Sequence, residues 1–157
     1  MIENWIDDLA NVWSTISFEF GSVRSYSLIK QQEFPSAINP SELALNPVAL
    51  TIPVSMQPNY SLSTKEAFWF GTTQFHVSPD LSNARIPGLM IWYSKILRAA
   101  AASLTLGGKV HSFIIQNEQN GILGPVGMAW GEETLHWGFL VSWRVKENPL
   151  SDLVVGV

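Results

Sequence analysis

The stretch LHWGFLVSWRVKE, residues 135–147, decides how this chain is read. Trp137, Phe139, Val141, Trp143 and Val145 fall on every second position, with His136, Ser142, Arg144 and Lys146 between them. A period of two predicts a β-strand with one apolar face and one mostly polar face. Three of those five apolar positions are aromatic and need a substantial partner layer. The chain shows no obvious catalytic machinery, so the aromatic strand points to assembly rather than chemistry.

Upstream, KEAFWFGTTQFHVSP (65–79) predicts a second long strand. Phe68 and Phe70 share one face; Trp69, Phe75 and Val77 share the other. VALTIPVSM (48–56) reads as a third strand, and Pro53, which has no amide proton for a ladder, marks it as an edge or a bulge. KVHSFIIQ (109–116) and ILGPVGMAW (122–130) add shorter or glycine-broken strand segments, and SFEFGSVRSYSLI (17–29) one or two more around Gly21.

Two helices are expected beside these strands. Ile2, Trp5, Ile6, Leu9, Val12, Trp13 and Ile16 recur at helical spacing over 2–16, with Glu3, Asp7 and Asp8 early, where the helix dipole favours negative charge. PGLMIWYSKILRAAAASLT (87–105) opens with a proline suited to a first turn, contains an alanine run and stops at Gly107-Gly108. The economical arrangement is a single α+β domain spanning 1–157: a mixed, mainly antiparallel sheet with both helices packed on it. Long polar loops are expected at about 31–47, 57–64 and 117–134, with a short tail at 148–157.

The 157 residues suffice for one sizeable core. Charged residues make up only 14%, against roughly a quarter in ordinary domains, while hydrophobic residues reach 46%. So thinly charged a skin implies that part of the surface is covered by a partner. A net charge of −4 argues against general nucleic-acid binding, which needs a basic face, although a local basic strip remains compatible with it. With no cysteine there is no disulfide, thiolate metal site or thiol nucleophile. The acidic start MIENWIDDL lacks the features of a signal peptide, and no stretch has the ~20 apolar residues of a membrane span, so a soluble protein is expected.

Motifs for chemistry are weak. His76, His111 and His136 sit singly on strands without HxxxH or HExxH spacing, and are expected to be ordinary strand residues on polar or half-exposed faces. No GxSxG elbow occurs. GILGPVG (121–127) lacks the GK[ST] ending of a phosphate loop, so its glycines serve backbone shape. Arg144 and Lys146 share a strand face, which reads more readily as solvated charge than as a binding strip. No catalytic residue, cofactor or metal is expected.

The order of elements carries one resemblance. An N-terminal amphipathic helix, strands and polar loops, a strand ending FHVSP, a second helix and the terminal aromatic strand WGFLVSWRV resemble the tail terminator (tail completion) proteins of long-tailed bacteriophages, over about residues 2–147. The loop at 31–47 has no counterpart in that pattern. The resemblance implies a non-enzymatic virion protein assembled in the host cytoplasm. It forms a ring of its own copies, commonly six, and caps the tail tube protein, with a head–tail connector or neck protein on the other side. DNA would pass through the ring without specific recognition, and no membrane is involved.

From this sequence, the neighbour contacts are expected on the outer side of the strands at 65–77 and 136–146, at Trp69, Phe75, His136, Arg144 and Lys146, and on the tail at Leu153 and Val154. Contacts with tube or neck are expected from loops carrying Phe34, Asn39, Glu42, Tyr60, Asn120 and Glu132. The alternatives are another connector or minor tail protein, or, in a different class, a small monomeric ligand-binding or enzymatic α+β domain.

Overall fold

A computed structural model describes residues 2–18, 21–27, 37–38, 43, 46–60, 65–79, 86–116, 121–131 and 135–147. The chain opens with a 3-10 turn, Ile2–Asn4, and helix α1, Ile6–Ser14. A small antiparallel ribbon follows, β1 (Ser17–Phe18) with β2 (Gly21–Ser22). The main sheet contains β3 (Arg24–Ser27), β4 (Val48–Tyr60), β5 (Lys65–Ser78), β6 (Ser112–Ile115), β7 (Ile122–Met128) and β8 (His136–Lys146). Helix α2, Ile86–Ala101, lies between β5 and β6 in the chain.

The sheet order is β3-β4-β5-β8-β6, with β7 also pairing β8. β3 runs parallel to β4 and every other pairing is antiparallel, so the fold is a mixed, mainly antiparallel α+β sheet with two helices, as expected. β8 is central: β5 flanks one side along nearly its whole length, and β6 and β7 divide the other.

The aromatic strand finds its partner inside the molecule. Phe139, Val141, Trp143 and Val145 of β8 are wholly buried with Phe75, Phe113 and the helical residues Trp5, Ile6, Leu9, Trp13, Trp92 and Ile96. Their rings meet edge-on: Trp13 to Phe75 at 5.2 Å and Trp5 to Trp143 at 6.1 Å between centroids. Such edge-to-face pairs add to simple area burial because the positive ring edge meets the negative face. The Trp5 indole also donates to Glu147 Oε1 at 2.9 Å, which ties the start of the chain to the end of β8. Ser27 Oγ donates to Asp7 Oδ1 at 2.7 Å, which fastens β3 under α1.

Several boundaries differ from expectation. The first helix is shorter than 2–16, because Ile2–Asn4 close a 3-10 turn before Trp5. The second ends at Ala101 rather than 105, and its continuation forms turns that place Leu106 and Val110 in the core. The loop expected at 57–64 begins later: Gln57–Tyr60 continue β4, and Pro58 is accommodated opposite Ala67 where the other edge of the strand has no partner among the described residues. Within 117–134, residues 122–128 form β7.

A second, smaller core lies on the other side of the sheet. Ile38 and Leu43, from the segment between β3 and β4, bury Val48 and Leu50, with Tyr26 and Trp130 packed around them. The amide of Ile38 donates to the carbonyl of Trp130 at 2.9 Å. The outer face of the sheet is therefore covered at this end. The rest of the 31–47 segment, apart from Ala37, Asn46 and Pro47, lies outside the described residues, as do Phe34, Asn39 and Glu42.

Candidate functional site

Two strand irregularities set the geometry of the outer face. The first is at the end of β5, where the register against β8 shifts between His76 and Ser78. There the His76 and His136 rings are fully buried, with centroids 4.7 Å apart. Gln74 Oε1 accepts from His76 Nε2–H at 3.2 Å, which turns the His76 Nδ1 lone pair toward His136 Nε2, 2.5 Å away. His136 is then the donor of that bond. Burial first, and the His136 ring second, hold the His76 imidazole down to a pKa of about 3. The His76 ring is neutral at ordinary pH, and the pair joins two strands.

That placement corrects two expectations. His76 and His136 are not half-exposed, and His136 does not reach a neighbouring subunit, because both rings point into the sheet beneath its covered end. Sequence spacing conceals the pair, since 60 residues separate its members and only β5–β8 pairing joins them. Among the described residues no group of three or more histidine, aspartate or glutamate side chains is placed to hold a metal ion.

The second irregularity is a β-bulge between Pro53 and Ser55. Before it, Pro53 pairs with Gly71; after it, Ser55 pairs with Phe70 and Gln57 with Phe68. An unbroken register through Val54 would set Val54 and Met56 opposite Phe70 and Phe68 on the outer face. With the bulge, Ser55 and Gln57 stand there beside Phe70 and Phe68. The open end of the outer face is completed by Thr72 of β5, Ser142, Arg144 and Lys146 of β8, and Gln116 just beyond β6. Arg144 and Lys146 lie over the Phe68 ring, 5.7 and 5.8 Å from its centroid. Between Phe70, Val54 and the polar side chains is an open depression of about 220 Å³.

The expected interface residues divide accordingly. Arg144 and Lys146 are on the outer face, as anticipated, and are partly exposed. Trp69 and Phe75 are on the opposite, helix-facing side. Phe75 is wholly enclosed by Trp13 and Trp92, and Trp69 packs edge-on to Trp5 at 6.0 Å. Phe75 is therefore a core residue and cannot meet another subunit, because the helices required by the chain's own apolar strand face already cover it. Leu153, Val154, Asn120 and Glu132 lie outside the described residues; Tyr60 ends β4, but nothing is described of its side chain.

Two further surfaces are uncovered and apolar. On the outward side of α2 and its following turn, Ile86, Met90, Ile91, Leu97 and Leu104 are exposed, Ile91 by 55% and Leu104 by 54%. At the edge of the sheet, Val54 is 69% exposed and Met56 43%. Beyond Thr51, β4 has no partner on its outer side among the described strands. Among the described residues no helix is long and apolar enough to cross a membrane.

No family model matches the chain, and no curated protein is similar to it in sequence. What the fold and these surfaces define is a compact α+β domain with an enclosed aromatic core and three uncovered surfaces: an apolar helix flank, an apolar strand edge and a polar depression.

Proposed function

We propose that this chain is a structural, ring-forming subunit of the tail terminator kind, which caps the tube of a long-tailed phage tail. The observation that carries the reading is the pair of unlike apolar surfaces, the α2 flank and the β4 edge. A ring joins each subunit to the next through two different patches, so two such surfaces are what a closed head-to-tail assembly needs. The sparse charge of the chain and the order of its elements support the same reading. In this role one side of the ring docks on the last layer of tube protein, and the opposite side blocks a further layer and receives the neck. The lumen passes DNA without reading its sequence, which suits a net charge of −4.

Native mass spectrometry of the purified protein tests this. The expected result is a single closed oligomer, and a variant carrying Met90→Lys and Leu97→Glu on α2 is expected to run as a folded monomer. A wild-type protein that remains a single chain at high concentration overturns the proposal.

A further inference from the structure

We infer that the depression on the open end of the outer sheet face is a binding site for one neutral sugar unit of a glycan. This inference is independent of the ring reading. It begins with the chemistry of the lining: Ser55, Gln57, Thr72, Gln116 and Ser142 surround the Phe70 ring, with Val54 as a further wall. Three hydroxyls and two primary amides each both donate and accept hydrogen bonds. A sugar presents the same kind of group, hydroxyls that do both, around a ring whose C–H face is apolar enough to lie on an aromatic side chain. No charged side chain lines the depression among the described residues, so a phosphate or carboxylate would meet no counter-charge there. The two cations of this face are over Phe68 instead.

The backbone is arranged to make this lining. The bulge at Val54 adds Ser55 beside Phe70 and sets Gln57, where an unbroken register would set Met56, opposite Phe68. Opposite the bulge, Gly71 leaves room on the core side for the Trp143 indole, whose nearest atom would be 2.2 Å from an added Cβ. Gln116 is held in place before any ligand arrives: its backbone amide donates to Ser142 O at 2.9 Å and its side-chain Nε2 to Trp143 O at 3.1 Å. Its Oε1 is the group left to accept from a ligand hydroxyl. A volume of about 220 Å³ accommodates one pyranose ring, and the open mouth permits the rest of a chain to continue past it.

The test is a backbone and side-chain amide NMR titration of the full chain with the methyl glycosides of glucose, galactose, mannose and N-acetylglucosamine, and separately with uridine and inorganic phosphate. The expected result is saturable shifts from at least one glycoside, confined to the Gln57 and Gln116 side-chain amides and the backbone of residues 54–57, 70–72 and 142. Phe70→Ala is expected to weaken that binding about tenfold, the worth of one good aromatic contact. Gln57→Leu, which leaves the floor of the depression in place, provides a second variant with the same expected direction should Phe70→Ala fail to fold. Absence of saturable shifts with all four glycosides overturns the inference. So does stronger binding of uridine or phosphate at these residues, or glycoside binding undiminished in both variants.

Discussion

Among the described glycines, Gly138 has the least room for a side chain. It faces His76 across the β5–β8 ladder, and a Cβ there would lie 1.6 Å from the carbonyl oxygen of Phe75. Backbone cannot retreat as a flexible side chain does, so Gly138→Ala is expected to cost at least about 3 kcal/mol, seen as a lower urea midpoint. Trp143→Glu would place a carboxylate among Trp5, Phe113 and Val145, and should leave no cooperative unfolding transition by near-UV circular dichroism. The histidine pair makes stability depend on pH in a defined direction. Unfolded His76 takes up its proton near 6.5, whereas in the folded chain it does so only near 3. Its contribution is therefore complete above about pH 6.5 and is lost as the pH falls toward 3, by an amount on the order of a few kcal/mol. Chemical denaturation from pH 7 to pH 4 should show this decline, and His76→Gln should flatten it; an equal slope in the variant would contradict the assignment.

Among the elements, β4 has the most unusual construction. It carries two prolines, one bulge and an outer edge that has no partner beyond Thr51 among the described strands, and still runs 13 residues. Prolines and bulges are how exposed strand edges avoid pairing with foreign chains, so their presence here fits an edge that is exposed in the single chain. Deleting Val54 would erase the bulge while leaving Ser55 opposite Phe70 and Gln57 opposite Phe68. The expected outcome is a folded protein that keeps Ser55 and Gln57 beside the depression and has a less apolar strand edge, since Val54 is 69% exposed. Light scattering and the glycoside titration would both test it. The segment before β4 is equally specific in its effect: Leu43→Ala should open a cavity over Val48 and Leu50 and speed amide exchange in β3 and β4 more than in β6.

At the scale of the whole molecule, the layers were legible from sequence because they follow from periodicity. A period of two over 136–146 and of 3.6 over 2–16 and 87–105 identified a sheet with two helices, and the prolines and glycines marked most breaks. The proposed ring assembly belongs to this scale as well: if it forms, Leu97→Glu on the α2 flank should shift a native mass spectrum toward single chains while leaving the unfolding free energy within about 0.5 kcal/mol of wild type, since the site is 52% exposed. Less legible was which aromatic faces inward. Phe68 and Phe70 look equivalent to Trp69 and Phe75 in the sequence, and only the pairing with β8 places the first two outside and the others beneath the helices. By itself the sequence determined the strand and helix periods, the absence of thiol chemistry and the low charge, because these are local or compositional properties. The tertiary structure alone decided the covered and open halves of the outer face, the His76–His136 contact and the polar depression. Each of these depends on a register between distant strands, and one inserted residue reverses which side chains that register presents.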